Sequence, residues 1–155
     1  MKKLVGILMV LLLVAGTAVA EKVTEAWVMC NPASEVNLRS RANKHSDVVA
    51  RLCAGERLTL TGRKIGRWYQ VRYPCEAGEG WVRGDYLSMT EPKMFPEGEL
   101  YETTHGNLYA RYSIRGNKCA KLKKGVIVKV YLMADEWSVT SRGYIMTKYL
   151  TEVEI

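Results

Sequence analysis

Residues 80–87, Gly-Trp-Val-Arg-Gly-Asp-Tyr-Leu, recur in altered form as residues 143–150, Gly-Tyr-Ile-Met-Thr-Lys-Tyr-Leu. Both stretches begin with glycine, continue with an aromatic and a β-branched residue, and end on Tyr-Leu. Repetition at this spacing indicates a duplicated structural unit. Each copy is then expected to build its own core. The sequence therefore predicts two copies of one small fold.

The repeat extends toward the N-terminus of each copy. The aligned pairs are Asn37-Leu38 with Asn107-Leu108, Arg41 with Arg111, Ala50-Arg51-Leu52 with Ala120-Lys121-Leu122, and Tyr69-Gln70-Val71 with Trp137-Ser138-Val139. Each copy spans about 60 residues, which suffices for a small domain. We predict one domain over residues 24–90 and another over 99–155. The proline- and glycine-containing segment 91–98 is predicted to link them.

Short strands dominate both copies. β-Branched and apolar runs follow Gly55 and Gly125, and Gly80 and Gly143 each open another strand. Beyond the first twenty residues we find no long segment of clean helical period. We predict an all-β fold of two small barrels. Their predicted core residues are Leu38, Leu52, Leu58, Val71, Val82 and Leu87, and then Leu108, Leu122, Val128, Val139, Ile145 and Leu150.

These motifs carry a family resemblance. The ordered set Val36-Asn37-Leu38-Arg39-Ser40, Ala50-Arg51-Leu52, Trp68-Tyr69-Gln70-Val71, Gly80-Trp81-Val82 and Tyr86-Leu87 resembles a bacterial SH3 domain, and the second copy repeats its later motifs. The resemblance implies two SH3-like barrels in tandem, in a family whose exported members commonly bind cell-wall peptidoglycan or nearby peptides. Two departures stand out. Arg41-Ala42 replaces the usual Gly-Pro, and Tyr109 stands at the place of the motif arginine.

The first twenty residues have the pattern of a secretory signal peptide. Lys2 and Lys3 precede an apolar run from Leu4 to Val14, and small residues lead to Ala18-Val19-Ala20. We predict cleavage after Ala20 and a secreted or extracytoplasmic protein, periplasmic or in the cell wall, with no membrane attachment after cleavage. An uncleaved anchor is the alternative, although the run is about half of the roughly 20 residues that a spanning helix needs.

Charge and cysteine content indicate which partners and which compartment suit the mature protein. Loss of two lysines lowers the net charge from +7 to +5, which favours anionic partners. Cys30, Cys53, Cys75 and Cys119 can form two disulfides in an oxidising compartment. Three connectivities are open, and we favour Cys30 with Cys75. Their spacing contains no Cys-x-x-Cys pair, which argues against a zinc ribbon or a redox motif.

Aromatic residues beside basic ones are the candidate ligand contacts. Aromatic rings stack on sugars or peptide bonds, and arginine pairs with carboxylates. The predicted ligand-binding residues are Arg39, Arg41, Trp68 and Tyr69 in the first copy, and Tyr109, Arg111, Tyr112 and Trp137 in the second. For each of them a purely structural role is the alternative. Trp81 and Tyr144 are expected in the core.

Other function classes have less support. A cysteine protease needs a histidine beside its thiol, whereas His45 and His105 both lie in polar, turn-like segments. The scattered carboxylates form no calcium loop, and we expect no metal and no cofactor. Nucleic-acid binding by a basic barrel conflicts with export. We therefore predict a monomeric, non-catalytic binding protein for peptidoglycan or wall peptides. The alternative is an extracytoplasmic protein–protein adaptor that binds a surface protein.

Overall fold

The computed structural model describes residues 24–73 and 78–154. The predicted signal peptide and Cys75 lie outside the described residues. Within them, all paired strands are antiparallel and form two seven-stranded sheets. No helix of the described residues is long and apolar enough to span a bilayer.

The first sheet contains seven strands: β1 (Thr24–Val28), β2 (Glu35–Arg39), β3 (Val48–Cys53), β4 (Arg57–Ile65), β5 (Trp68–Arg72), β6 (Glu79–Arg83) and β7 (Leu87–Ser88). A 3₁₀ turn, Gly84–Tyr86, precedes β7. The order across the sheet is β3-β2-β6-β5-β4-β1-β7.

The second sheet repeats this plan with β8 (Lys93–Thr103), β9 (Leu108–Arg111), β10 (Lys118–Leu122), β11 (Ile127–Met133), β12 (Trp137–Thr140), β13 (Gly143–Met146) and β14 (Leu150–Glu152). A second 3₁₀ turn, Thr147–Tyr149, precedes β14. Its order, β10-β9-β13-β12-β11-β8-β14, is that of the first sheet. The all-β prediction of two SH3-like barrels is confirmed.

Each barrel closes around a core of alternating inward side chains. In β2, Val36 and Leu38 are buried while Asn37 is exposed, as expected where one face of a strand meets the core. All six predicted core residues of the first barrel are buried, at 5% exposure or less. Gly80 is needed there because a Cβ atom at its position would lie 2.6 Å from Leu38 Cγ.

The second core follows the prediction except at β12 and at Leu150, which is only partly buried against the core. Leu108, Leu122, Val128 and Ile145 pack together as expected. Val139 is buried, but it packs into a separate cluster outside this barrel core. Thr140 pairs with Val130 as Val71 pairs with Leu60, so Thr140 holds the place of Val71.

The segment predicted as a linker, 91–98, contains the beginning of β8. Met94 lies opposite Leu132, and the register then shifts before Glu99 pairs with Val130. Pro96 lies within this irregularity, where a residue without an N–H costs no ladder hydrogen bond. The segment between the barrels is therefore structured from Lys93 onward. The domain boundaries at residues 90 and 99 stay predictions.

A third apolar cluster joins the two barrels. Met29 of the first barrel packs with Ile114, Leu132, Ala134, Trp137, Val139 and Tyr144 of the second, and partly buried Ala54 and Tyr86 lie against them. The cluster buries large side chains such as Met29 and Leu132 completely. Burial of such a side chain contributes about 1.5 to 3 kcal/mol.

Polar contacts fix the orientation of the barrels. The Tyr144 hydroxyl donates to the Met29 carbonyl oxygen at 2.5 Å. The Ile114 N–H donates to the Asp85 carbonyl oxygen at 3.0 Å. Hydrogen bonds are directional, so these two contacts set one relative position that apolar burial alone leaves open. The barrels therefore form a docked pair.

Strand pairing corrects the repeat alignment at β2 and β9. Val36 faces Leu52 and Leu38 faces Ala50, whereas Leu108 faces Leu122 and Ala110 faces Ala120. Leu108 thus corresponds to Val36, and Arg111 corresponds to Arg39. The expectation that Tyr109 replaces the motif arginine is wrong, because both barrels keep an arginine at the end of this strand.

A second correction concerns β5 and β12. Trp68 pairs with Arg83, and Trp137 pairs with Met146. Arg83 and Met146 each lie three residues after the glycine that opens the repeated stretch. Trp137 therefore corresponds to Trp68, and the alignment of Trp137 with Tyr69 was wrong by one residue. One residue matters here because it moves a side chain to the opposite face of the sheet.

Candidate binding grooves

A groove of about 460 Å³, called groove 1 below, opens on the first barrel at its boundary with the second. Arg39 at the end of β2 and Trp68 at the start of β5 line it. Arg83 and Tyr86, at the 3₁₀ turn before β7, form another part of the wall. Groove 1 thus lies where the ends of several strands meet.

A second groove of about 490 Å³, groove 2, opens on the second barrel. Among the described residues, those that line it all belong to the second barrel, and they include Arg111, Trp137, Met146 and Tyr149. These four residues correspond by strand position to Arg39, Trp68, Arg83 and Tyr86. The two grooves therefore occupy the same place on duplicated barrels.

The paired arginines stabilise the loops beside the grooves. Arg39 Nη1 donates to the Ser46 carbonyl oxygen at 2.7 Å, and Arg111 Nη1 donates to the Gly116 carbonyl oxygen at 2.8 Å. Each bond closes the loop that follows the strand. A charge-assisted bond of this kind is stronger than one between neutral groups. Part of each guanidinium is thus committed to structure, and its other nitrogens can face the groove.

Both grooves are lined by more cationic than anionic side chains. Arg39, Lys44 and Arg83 line groove 1 together with Glu35, whose carboxylate lies 3.7 Å from the Arg51 guanidinium. Arg83 Nη2 donates to Asp85 Oδ2 at 2.7 Å. In groove 2, uncharged Met146 replaces Arg83, and Arg111 and Arg115 are the described charged residues that line it. Groove 1 therefore differs from groove 2 in having a third cation and one anion, not in net charge.

The aromatic rings of the grooves differ in accessibility. In groove 2, Lys118 Nζ lies 3.9 Å from the Tyr109 ring centroid, and His105 and Lys148 contact the Tyr149 ring. Trp137 is only 7% exposed. In groove 1, the rings of Trp68 and Tyr112 have no aromatic or cation–π neighbour among the described residues. Groove 1 therefore offers the freer stacking surfaces.

A third cavity, of about 450 Å³, lies in the crevice between the barrels. Tyr69 and Trp137 both line it. Lys64 Nζ lies 4.9 Å from the Tyr69 ring centroid, and a Cβ atom at Gly84 would lie 2.6 Å from Tyr69 Cε2. The Tyr69 ring is thus contacted by Lys64 and packed close to Gly84, which favours a structural role over ligand stacking.

The structure divides the predicted ligand residues among these sites. Arg39, Trp68 and Tyr112 line groove 1, and Tyr109, Arg111 and Trp137 line groove 2. Arg41 is exposed on the loop between β2 and β3, where its carbonyl oxygen accepts a bond from Ser46 Oγ. Whether any of them binds a ligand stays a prediction.

Sequence reasoning missed Arg83, Tyr86, Met146 and Tyr149 as groove residues. Their signal was present, because all four belong to the repeated stretches 80–87 and 143–150. These stretches were interpreted as core motifs only. Alternation within the strand also sends side chains outward, so the same motif builds both the core and a groove wall.

The described cysteines lie in different environments. Cys30 is buried, Cys53 is exposed and Cys119 is intermediate, and all three are free thiols. Burial, with the nearby charges of Cys53, Glu35 and Glu56, raises the pKa of Cys30 from its usual 9.0 to about 11. A raised pKa disfavours the thiolate that nucleophilic chemistry needs. The predicted disulfide involving Cys75 stays a prediction.

The two histidines are both exposed. His45 lies in the loop between β2 and β3, where its N–H donates to Asn43 Oδ1 at 3.0 Å. His105 Nδ1 lies 2.7 Å from Thr104 Oγ1. In residues 24–73 and 78–154, no group of three or more His, Cys, Asp or Glu side chains is placed to hold a metal ion.

Comparison with known proteins finds one matching family model. Residues 34–88 match the family model described as the bacterial SH3 domain. No curated protein sequence matches the chain. Among solved structures, NlpC1 and NlpC2 from Trichomonas vaginalis are similar, at 15% and 14% identity and TM-scores of 0.38 and 0.37. The matches cover 94% and 86% of this chain but 51% and 49% of those proteins, so the chain spans about half their length.

Proposed function

We propose that this chain, which carries a bacterial SH3 domain at residues 34–88, is an exported, non-catalytic module that binds cell-wall peptidoglycan or peptides attached to it. The observation that carries the proposal is groove 1, with the exposed ring of Tyr112 and the half-buried ring of Trp68 in the same lining as Arg39, Lys44 and Arg83. Aromatic faces stack on peptide bonds and sugar rings, and guanidinium groups pair with the carboxylates of wall peptides.

Burial of the Cys30 thiol supports a binding role. The buried Cys30 thiol has its pKa raised to about 11, so only a small fraction is thiolate at neutral pH. Export rests on the signal-peptide pattern of residues 1–20. A protein–protein adaptor is the alternative that the same groove allows.

Sedimentation with purified bacterial cell walls tests the proposal. The mature chain, residues 21–155, should pellet with walls at about 0.5 M salt, where the Debye length is about 4 to 5 Å and non-specific attraction is mostly screened. It should release no soluble wall fragments. A folded protein that stays in the supernatant contradicts wall recognition and leaves the adaptor, whereas wall digestion contradicts the non-catalytic assignment.

A pair of tryptophan variants locates the site. Trp68→Ala removes a half-buried ring from groove 1, and Trp27→Ala removes a half-buried ring from β1, away from all three cavities. We expect about tenfold weaker wall binding for Trp68→Ala, equivalent to about 1.4 kcal/mol, and little change for Trp27→Ala. Thermal melts of both variants control for lost stability. Equal weakening by the two variants contradicts a role for groove 1.

A further inference from the structure

Groove 1 contains residues from both barrels. Tyr112 and Tyr144 belong to the second barrel, yet they line the groove of the first. Tyr144 is buried at the barrel boundary, with its hydroxyl bonded to the Met29 carbonyl oxygen. Tyr112 is 71% exposed, which leaves most of its ring available for a ligand.

The loop that carries Tyr112 is closed on itself. The Tyr112 N–H donates to the Asn117 carbonyl oxygen at 3.0 Å, and the Arg111 guanidinium bonds the Gly116 carbonyl oxygen at 2.8 Å. Arg111 also pairs with Tyr144 across β9 and β13. The loop is therefore fixed to the same sheet that docks on the first barrel.

The loop is also attached to the wall of groove 1. Ile114 is buried in the cluster between the barrels, and its N–H donates to the Asp85 carbonyl oxygen at 3.0 Å. The Asp85 carboxylate in turn accepts a bond from Arg83, a groove residue. These contacts hold the loop of Tyr112 at groove 1, which Arg83 and Tyr86 also line.

No described residue of the first barrel lines groove 2. The residue of the first barrel that corresponds to Tyr112 is Ser40, whose N–H bonds the Asp47 carbonyl oxygen just as the Tyr112 N–H bonds that of Asn117. Ser40 is small and has no ring to offer. Every described residue that lines groove 2 belongs to the second barrel, and its tyrosine rings are covered by lysines.

We infer that groove 1 is the principal binding site and that it is composite, with Tyr112 of the second barrel as a ligand-contacting wall. This inference rests on the proposed wall-binding function and changes its mechanism. The second barrel completes the first site, whereas the sequence analysis gives candidate ligand residues for each barrel separately. The groove suits a short peptide segment that carries a carboxylate, since Arg39, Lys44 and Arg83 outnumber Glu35 and the rings of Trp68 and Tyr112 are available to stack on peptide bonds.

Matched tyrosine variants of the full mature chain test the inference with purified cell walls as the probe. Tyr112→Ala should weaken sedimentation at about 0.5 M salt by about tenfold, the loss typical of one stacking ring. Tyr112→Phe should bind like the wild type, because the ring and not the hydroxyl makes the contact. Tyr109→Ala, which removes the corresponding kind of ring from groove 2, should change binding by less than about threefold.

The outcomes separate this inference from the proposed function. If the wild type binds walls and Tyr112→Ala binds within about twofold of it, the composite site is overturned while wall binding stands. A loss for Tyr109→Ala as large as that for Tyr112→Ala overturns groove 1 as the principal site. A wild type that does not bind walls overturns both proposals. Because Tyr112 is 71% exposed, thermal melts of its variants should match the wild type.

Discussion

The Tyr144 hydroxyl is the most critical single polar group at the barrel boundary. It is the donor to the Met29 carbonyl oxygen, in a cluster that is otherwise apolar. Tyr144→Phe leaves that buried acceptor without its partner and should destabilise the protein by about 1 to 3 kcal/mol in urea unfolding. Tyr112→Phe, at an exposed ring, is the control and should be neutral. An unchanged midpoint for Tyr144→Phe would mean that water replaces the hydroxyl.

The buried Cys30 thiol gives the reduced protein a pH dependence. In the unfolded chain the thiol ionises near its usual 9.0, whereas in the folded protein its pKa is about 11. The unfolded state therefore releases its proton first, so the stability from this group is complete below pH 9 and is lost as pH rises towards 11. Between pH 8 and 10.5 the wild type should lose about 2 kcal/mol more than Cys30→Ala. Parallel losses in urea titrations of the reduced proteins would contradict this assignment.

Residue types predicted the cores better than the site. Large aliphatic residues such as Leu38 and Leu58 are buried wherever they fall on the inner face of a strand, so composition and alternation identify them. Val139 met the same criteria, yet it packs between the barrels. Contact between two domains depends on their docking, which no periodicity within one strand encodes.

Strand register accounts for the errors at the next scale. Asn37-Leu38 and Asn107-Leu108 look alike, but the loop after β9 is shorter than the loop after β2, and pairing places Arg111 opposite Tyr144 as Arg39 lies opposite Trp81. A match of only two residues is too short to reveal that the two loops differ in length. Arg39 and Arg111 are seen to be equivalent only when the residues of the two barrels are matched by their cross-strand partners.

The hydrogen bond of Arg111 should govern the loop that follows β9. Arg111→Ala removes the bond to the Gly116 carbonyl oxygen, so residues 112–117 should open more often. Loss of about 1.4 kcal/mol would raise amide hydrogen exchange at Tyr112 about tenfold. Arg39→Ala is the matched control, since it releases the loop of the first barrel instead. Unchanged exchange at Tyr112 in Arg111→Ala would show that the packing of Ile114 suffices to hold the loop.

The two barrels of the molecule are docked on each other and are not independent modules. Sequence repetition predicted two barrels correctly, but the apolar docking patch is not repeated. Met29 and Ala54 correspond to Thr104 and Lys124 in the second barrel, because Gly55 and Gly125 make equivalent bonds to Val28 and Thr103. A second copy would thus meet a polar surface where the first barrel presents an apolar one. The docking surface of the first barrel therefore has no counterpart at the equivalent positions of the second barrel.

The correspondence of Ala54 with Lys124 provides a test of docking that leaves each barrel intact. Ala54 packs against both the cluster between the barrels and the core of the first barrel, whereas Lys124 is exposed in the same position of the second barrel. Because the second barrel folds with lysine at this position, Ala54→Lys should be tolerated by the first barrel and should disturb mainly the docked interface.

The wild type should unfold in one cooperative transition, since the shared cluster couples the two cores. Ala54→Lys places a charge against Met29 and Trp137, and desolvation of that charge opposes docking. Urea unfolding of the variant, followed separately by tryptophan fluorescence and far-UV circular dichroism, should then give two non-coincident transitions. Lys124→Ala is the control and should unfold like the wild type. A single coincident transition for Ala54→Lys at the wild-type midpoint would mean that the barrels are coupled without this cluster, and Tyr112 would then need another means of support beside groove 1.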